Sequence, residues 1–256
     1  MSESVAVVTG ASLGIGRASA IRLARDFSAI TLVARNLQHL NDTAAKVKAA
    51  GAEPLVLDLD LREPRSAEVV VSRTLERFGR IDALLNIAGA VPQIDLFEMS
   101  DEHWDDGMAL KLHGARRLTL RAWEALKTAR GAVVLISGNS AEFPKAPYAA
   151  VGTINAAIVA LAKAFSDRGL KDGVTVNSVL PGPVMTGRRQ SYLAKWAPAH
   201  KVSVEEATQK FLQDAGISRY GEPEEIAELM AFLVSPSARW MTGAALRMDG
   251  GEVKSI

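Results

Sequence analysis

With 256 residues, 48% of them hydrophobic and 23% charged, the chain is long enough for one large α/β domain with a well-buried core. A net charge of +1 gives no electrostatic reason to expect a nucleic acid or an anionic membrane as partner. The absence of cysteine excludes disulfides and thiolate chemistry, and the four histidines, at 39, 103, 113 and 200, lack metal-ligand spacing, so no metal is expected.

Met1-Ser2-Glu3-Ser4 runs straight into Val5-Ala6-Val7-Val8 without room for a signal peptide, and no uncharged apolar run approaches a membrane span. The expectation is a soluble, cytoplasmic protein. Val5 to Val8 predicts a buried strand, and Arg17 to Ala24 a helix with one apolar face. Between them lies Thr9-Gly10-Ala11-Ser12-Leu13-Gly14-Ile15-Gly16. Strand, glycine turn and helix aim free backbone N–H groups and a positive helix terminus at a phosphate. Side chains at Gly10, Gly14 or Gly16 would bar a pyrophosphate, although an ordinary glycine turn is the alternative.

Ala29 to Val33 predicts a second strand with Ala34-Arg35 at its tip. An acid at such a tip bonds the adenosine 2′-hydroxyl of NAD, whereas an arginine fork suits the 2′-phosphate of NADP. NADP is therefore favoured over NAD, a solubilising surface arginine being the other reading. Leu37 to Ala50 predicts a helix stopped by Gly51, and Leu55 to Leu57 a third strand leading to Asp58-Leu59-Asp60-Leu61. Pro64 is placed at the start of a helix that runs to Gly79. Ile81 to Leu85 predicts a fourth strand ending in Asn86-Ile87-Ala88-Gly89. Ser100 is expected to cap a long helix through Trp104 and Leu112 to about Ala129, followed by a strand from Ala132 to Ser137. Ala149 to Phe165 is apolar around most of its circumference, which predicts burial in a core or against another subunit. Val174 to Val179 is the sixth strand, Gly187 to about Gly216 the place for a substrate loop, Arg219 to Ala227 the opening of the last helix, and Gly243 to Met248 the seventh strand. The alternation predicts a single doubly wound Rossmann-type domain over 1–256, a parallel sheet of about seven strands with helices on both faces.

Thr9-Gly10-x-x-x-Gly14-x-Gly16, Asn86-Ile87-Ala88-Gly89 and Pro181-Gly182-Pro183-Val184-Met185-Thr186 resemble, in order and spacing, motifs of the short-chain dehydrogenase/reductase family. The resemblance covers essentially the whole chain. It implies a dinucleotide held by Gly10, Ser12, Leu13, Gly14, Ile15 and Gly16, with Arg35 at the adenosine end. Asn86, Ala88 and Gly89 would pass close to the cofactor, and Pro181, Gly182, Val184 and Thr186 would lie beside the nicotinamide. Counting back from Phe78-Gly79-Arg80, Asp60-Leu61 best matches the family's adenine-holding pair, with Asp58 still open as the acid. It also implies a homotetramer: the helices beginning at Ser100 and Ala149 resemble a four-helix bundle across a two-fold axis, and the last helix and strand a second interface.

The family moves a hydride between nicotinamide C4 and a carbonyl or alcohol carbon, a tyrosine transferring the proton beside a lysine, a serine and an asparagine. Matching Trp104-Asp105 and Leu112-x-Gly114 places the asparagine position on Lys111. The run Gly131 to Ser137 places the serine on Gly138, and Ala156 to Lys163 places the tyrosine on Val151 and the lysine on Asn155. All four groups are absent, and no Tyr-x-x-x-Lys pair exists in any register. Tyr148, one turn before Val151, can approach the cleft or simply pack at a helix start. Ser137 and Ser140 flank Gly138 and either donate to a bound oxygen or satisfy local backbone. Lys111 and Asn155 read as an exchange of amine and amide between facing helices, or as independent drift. The candidate catalytic groups are thus Lys111, Ser140, Tyr148 and Asn155.

The basic and aromatic run Arg188 to Trp196, with His200-Lys201 beyond, suits closure over an anionic or acyl small molecule, or a solvated lid. Three functions compete: an NADP-dependent oxidoreductase with an altered proton donor, an NADP-binding sensor or assembly subunit without turnover, and a non-redox enzyme on the same cleft. Fold alone does not choose among them.

Overall fold

Short β-branched and aliphatic runs form seven parallel strands in a computed structural model that describes residues 4–255; Met1-Ser2-Glu3, read above as leading into the first strand, lie outside the described residues. The strands are β1 (Val5–Thr9), β2 (Ala29–Ala34), β3 (Glu53–Asp58), β4 (Ala83–Asn86), β5 (Ala132–Ile136), β6 (Thr175–Pro181) and β7 (Ala245–Met248), in the order β3-β2-β1-β4-β5-β6-β7. The helices are α1 (Gly14–Leu23), α2 (Leu37–Ala49), α3 (Ser66–Phe78), α4 (Asp101–Gly107), α5 (Ala115–Ala129), α6 (Ala149–Asp172), α7 (Gly187–Ala199), α8 (Val204–Ala215) and α9 (Pro223–Leu233).

Alternation along β1 divides the core. Ala6 and Val8 face α1, α2 and α9 through Ala20, Leu23, Leu40, Ile226 and Met230. Val7 faces α3, α5 and α6 through Val70, Leu118, Leu126 and Ile158. A sheet buried on both faces needs continuous apolar strands, and β1 and β5 are buried at every position. The expected architecture is the observed one.

Several boundaries differ from the sequence reading, each for a physical reason. Pro64 lies in the turn before α3, which starts at Ser66. Ser100 occupies the N-cap position of α4, but its hydroxyl pairs with His103 Nδ1 at 2.9 Å instead of capping backbone. The long helix expected to Ala129 is interrupted by a π-helical segment, Met108–Gly114. The stretch Ala146–Asp172 does reach the length and apolarity of a membrane span. Here those residues serve the core, because Ile158, Ala162 and Phe165 pack beneath the sheet. The expected substrate loop consists of α7 and α8, whose Leu193, Ala197 and Ala207 form a small core of their own with Trp196 and Phe211.

One side chain reinforces the ladder that holds the C-terminal strand to β6. Buried Asn177 donates from Nδ2 to the Met241 carbonyl at 2.8 Å and accepts from the Ala244 N–H at 3.1 Å. Asn177→Ala leaves both backbone groups unpaired and is expected to lower unfolding free energy by about 2–4 kcal/mol. Urea unfolding at constant m reads this; an unmoved midpoint would mean that the strand ladder alone holds β7.

Candidate functional site

Where β1 and β4 part, their following segments leave in opposite directions, and a cleft of ≈ 1320 Å³ opens at the carboxyl ends of the strands. Thr9 fixes its floor: the hydroxyl accepts the N–H of Ile87 at 2.9 Å and of Ala88 at 3.0 Å, and donates to the Leu85 carbonyl at 3.3 Å. The glycine turn is shaped by close approach. A Cβ on Gly16 would stand 2.2 Å from the Gly10 carbonyl oxygen, and Gly10 itself, at φ +66°, lies 3.0 Å from the Ala88 nitrogen at the corresponding point. The start of α1 therefore reaches the cleft as bare backbone, with no acid in its first turn to oppose an anion. That cradle fits a dinucleotide pyrophosphate.

The structure brings nearly all the sequence-predicted cofactor positions onto one wall. Gly10, Ser12, Leu13, Gly14, Ile15, Gly16 and Arg35 line the cleft, as do Asp60, Leu61, Ala88 and Gly89, and Pro181, Gly182, Val184 and Thr186. Asn86 does not. It is buried one step behind the wall, its Nδ2 on the Thr119 hydroxyl at 3.0 Å, where it ties β4 to α5. Asp60 stands on the wall and Asp58 does not, which separates the two acids that sequence left open. Two polar wall residues that sequence did not single out are Gln93 and Asp106, and Arg62 holds Asp106 from beside the wall. Arg62 chelates Asp106 and meets Asp60 at 3.2 Å, and its hydrogen bonds hold the Asp106 carboxyl below the usual carboxylate range. No motif marks such a long-range pairing in advance. Arg35 meets Asp60 at 3.7 Å but keeps 61% of its side chain exposed, leaving the guanidinium free to turn to a ligand.

At the other end of the cleft two of the four substituted positions, Lys111 and Asn155, form one network with Ser137 and Ser140. Lys111 projects from the π-helical segment past Gly89, and its Nζ donates to the Ser137 carbonyl at 3.0 Å and to Asn155 Oδ1 at 2.5 Å. Asn155 Nδ2 donates to the Ser140 hydroxyl at 2.9 Å, and the Ser137 hydroxyl donates to the Asn155 carbonyl at 2.7 Å. Gly138 makes room for this: a Cβ there would stand 2.5 Å from Asn155 Nδ2. Burial drives the Lys111 amine down to about 8, with the Arg188 guanidinium adding to the effect. Lys111, Ser137 and Val151 line the cleft; Ser140, Asn155 and Tyr148 stand outside its wall. Burial pushes the Tyr148 phenol up, opposed by Lys145. Among the described residues no group of three or more carboxylate and imidazole side chains is placed to hold a metal ion.

Comparison with known proteins agrees with this geometry. Residues 10–252 match the family model described as Enoyl-(Acyl carrier protein) reductase. The short-chain reductase protein NovJ of Streptomyces niveus is 30% identical over 97% of this chain and 94% of its own. L-sorbose reductase from Gluconobacter frateurii, solved with NADPH and L-sorbose, superposes with a TM-score of 0.95 at 28% identity, covering 100% of this chain and 98% of that one. A variant actinorhodin polyketide ketoreductase solved with NADPH gives a TM-score of 0.91 at 31% identity, over 98% and 97% of the two chains.

The depressed amine has a measurable consequence for stability. The folded value, about 8, lies below the ordinary 10.5, so between those values the unfolded chain binds more protons. Unfolding free energy must then rise with pH across that window, by about 1–3 kcal/mol, the amine being fully charged and costly below it. Lys111→Met removes this rise. Urea unfolding of both proteins at pH 7, 8.5 and 10 should show the wild type gaining on the variant; parallel curves would mean the amine is solvated.

Proposed function

Because the chain belongs to the short-chain dehydrogenase/reductase family, we propose that it is an NADP(H)-dependent oxidoreductase acting at a carbonyl or alcohol carbon through an atypical active site. The observation that carries this reading is the continuity of the cleft. It runs from Arg35 at the tip of β2, over the glycine cradle, to Pro181-Gly182 and Lys111. The backbone from Gly10 to Gly16 would hold the pyrophosphate, Arg35 the 2′-phosphate, and Asp60-Leu61 the adenine edge. The nicotinamide, bound at the far end, supplies or accepts a hydride. The NADPH in the sorbose reductase and actinorhodin ketoreductase structures supports the choice of cofactor.

The substrate half of the cleft favours an anionic or acyl small molecule. Lys111, Arg188 and Arg189 line it, whereas the wall's two acids, Asp60 and Asp106, are engaged by Arg62. The helical pair α7–α8 bears Tyr192 on the same wall and acts as the substrate cover. A second reading, NADP binding without turnover, rests on Val151, an aliphatic side chain on the wall where the family places its proton-donating tyrosine. Tight NADPH binding with no oxidation by any carbonyl probe would favour it.

A homotetramer suits the exposed apolar residues Leu120 on α5, Leu170 on α6 and Phe232 on α9, the helices that resemble the family's subunit contacts. Light scattering at micromolar concentration should return four times the chain mass; a monomer would contradict the assembly.

For the cofactor, Arg35 should make NADPH bind more tightly than NADH by about 1–3 kcal/mol, the range of a charged hydrogen bond. Arg35→Ala should erase most of that difference in titration calorimetry. Equal wild-type affinities for the two cofactors would remove Arg35 from the reading.

A further inference from the structure

The cleft lacks the family's tyrosine, yet reduction of a carbonyl needs a proton delivered to its oxygen. Among the hydroxyls, Tyr192 on α7 lines the cleft and is the rival donor; the others are engaged or stand off the wall. Ser137 spends its proton on the Asn155 carbonyl, Ser140 receives the Asn155 amide behind the wall, and Tyr148 stands off the wall. Lys111 is different: two of its three ammonium hydrogens are held by the Ser137 carbonyl and Asn155 Oδ1, and the residue lines the cleft. The substitutions around it also depend on one another. The Asn155 amide occupies the space that a Cβ on Gly138 would fill, and the Lys111 amine rests on the oxygen of that same amide. A serine at position 138 is sterically incompatible with Asn155 as placed. Random drift at separate positions does not require this mutual fit.

Resting on the oxidoreductase reading above, we propose that Lys111 is the catalytic proton donor of this cleft, and that Asn155 is its positioning residue. As hydride from the reduced nicotinamide dinucleotide reaches the carbonyl carbon, the C=O π pair moves to oxygen. An O–H bond forms there as a Lys111 N–H bond breaks, the N–H pair staying on nitrogen. The neutral amine then takes a proton from solvent, so one carbonyl, one reduced cofactor and one proton give one alcohol and one oxidised cofactor. In the oxidative direction the neutral amine accepts the alcohol proton.

The charged surroundings suit an amine that changes state near neutral pH. From α7 it feels Arg188, with Arg189 and Tyr192 further along the same wall. From β5 and α6 it meets only neutral groups, Ser137 and Asn155. On its own helix, Asp106 is taken by Arg62, and His103 lies toward the α4 end of the cleft. Burial of the amine, with no carboxylate in contact, accounts for its value of about 8.

The test uses the full chain with NADPH and two carbonyl probes, 2,3-butanedione and acetoacetate, and reads both turnover and the titration of the lysine itself. Wild-type kcat/KM should fall above about pH 8 as the donor deprotonates. Lys111→Met should cost about 100-fold or more in hydride transfer, the scale of a lost general acid, with NADPH affinity unchanged. Asn155→Asp places a carboxylate against the amine and should move the alkaline limb upward by about one pH unit or more. The 13Cε resonance of Lys111, assigned by its loss in Lys111→Met, should titrate near pH 8 in wild type and higher in Asn155→Asp. Tyr192→Phe should leave the limb in place. Turnover that survives in Lys111→Met, or a limb that disappears in Tyr192→Phe instead, overturns the assignment while leaving the oxidoreductase reading intact. No turnover of either probe by NADPH-bound wild type overturns both.

Discussion

The hydroxyl of Thr9 is the small constraint on which the cleft depends. Two parallel strands whose following chains turn away in opposite directions leave a gap at their carboxyl ends, and nothing in the sheet ladder spans it. Thr9 does, by taking the N–H groups of Ile87 and Ala88 and giving its proton to Leu85. With β4's exit fixed against β1, the turn at Gly10 passes within contact of Ala88, while Gly16 is pressed against the Gly10-Ala11 backbone of that same turn. A shift of the Ile87-Ala88 turn would open the Gly10 contact. The Ile87 side chain, where the family motif carries a second asparagine, is absorbed by the core under α1 and costs this arrangement nothing.

The architecture was legible because its signals are local and repeated: apolar strands, glycine turns and amphipathic helices recur along the whole chain. The cradle was legible because three glycines between a strand and a helix leave a steric mark, though an ordinary turn leaves the same one. What escaped was set by contacts distant in sequence. Arg62 joins Asp60 to Asp106 across more than 40 positions, a pairing visible only once the turn after β3 reaches α4. Asn86, placed by motif at the cofactor, turns away because Thr119 offers a buried hydroxyl behind it.

The α7–α8 pair illustrates a different failure. Charge and aromatics in Arg188 to Trp196 suggest a loop when read as composition, but Leu193, Trp196 and Ala197 recur at helical spacing and bury against Ala207 and Phe211. Ser203 and Glu206 then close a reciprocal capping box that starts α8. The aromatics are structural as well as exposed: Trp196 stacks on His200 at 3.7 Å and meets Phe211 edge-on at 5.0 Å. Arg189 lies over Tyr192 at 5.6 Å and Tyr220 at 5.6 Å, so part of the segment's basic character holds these helices against the chain that follows them.

The altered end of the cleft shows why counting missing residues is a poor guide to missing chemistry. A lysine beside a carboxylate would be held as a permanent cation, and a lysine in open water would keep its proton almost as firmly. Lys111 has neither environment. Its partners are the Ser137 carbonyl and the Asn155 amide oxygen, dipoles that orient the amine without a full opposing charge, and Arg188 adds a like charge from α7. Desolvation therefore prevails over hydrogen bonding, and the amine sits at about 8, within reach of either protonation state under ordinary conditions. A tyrosine needs neighbouring positive charge to bring its ~10 down to the same range. In this chain the sheet and α6 instead bring an amine down to it, using a glycine at 138, an amide at 155 and a π-helical segment that carries Lys111 to the wall.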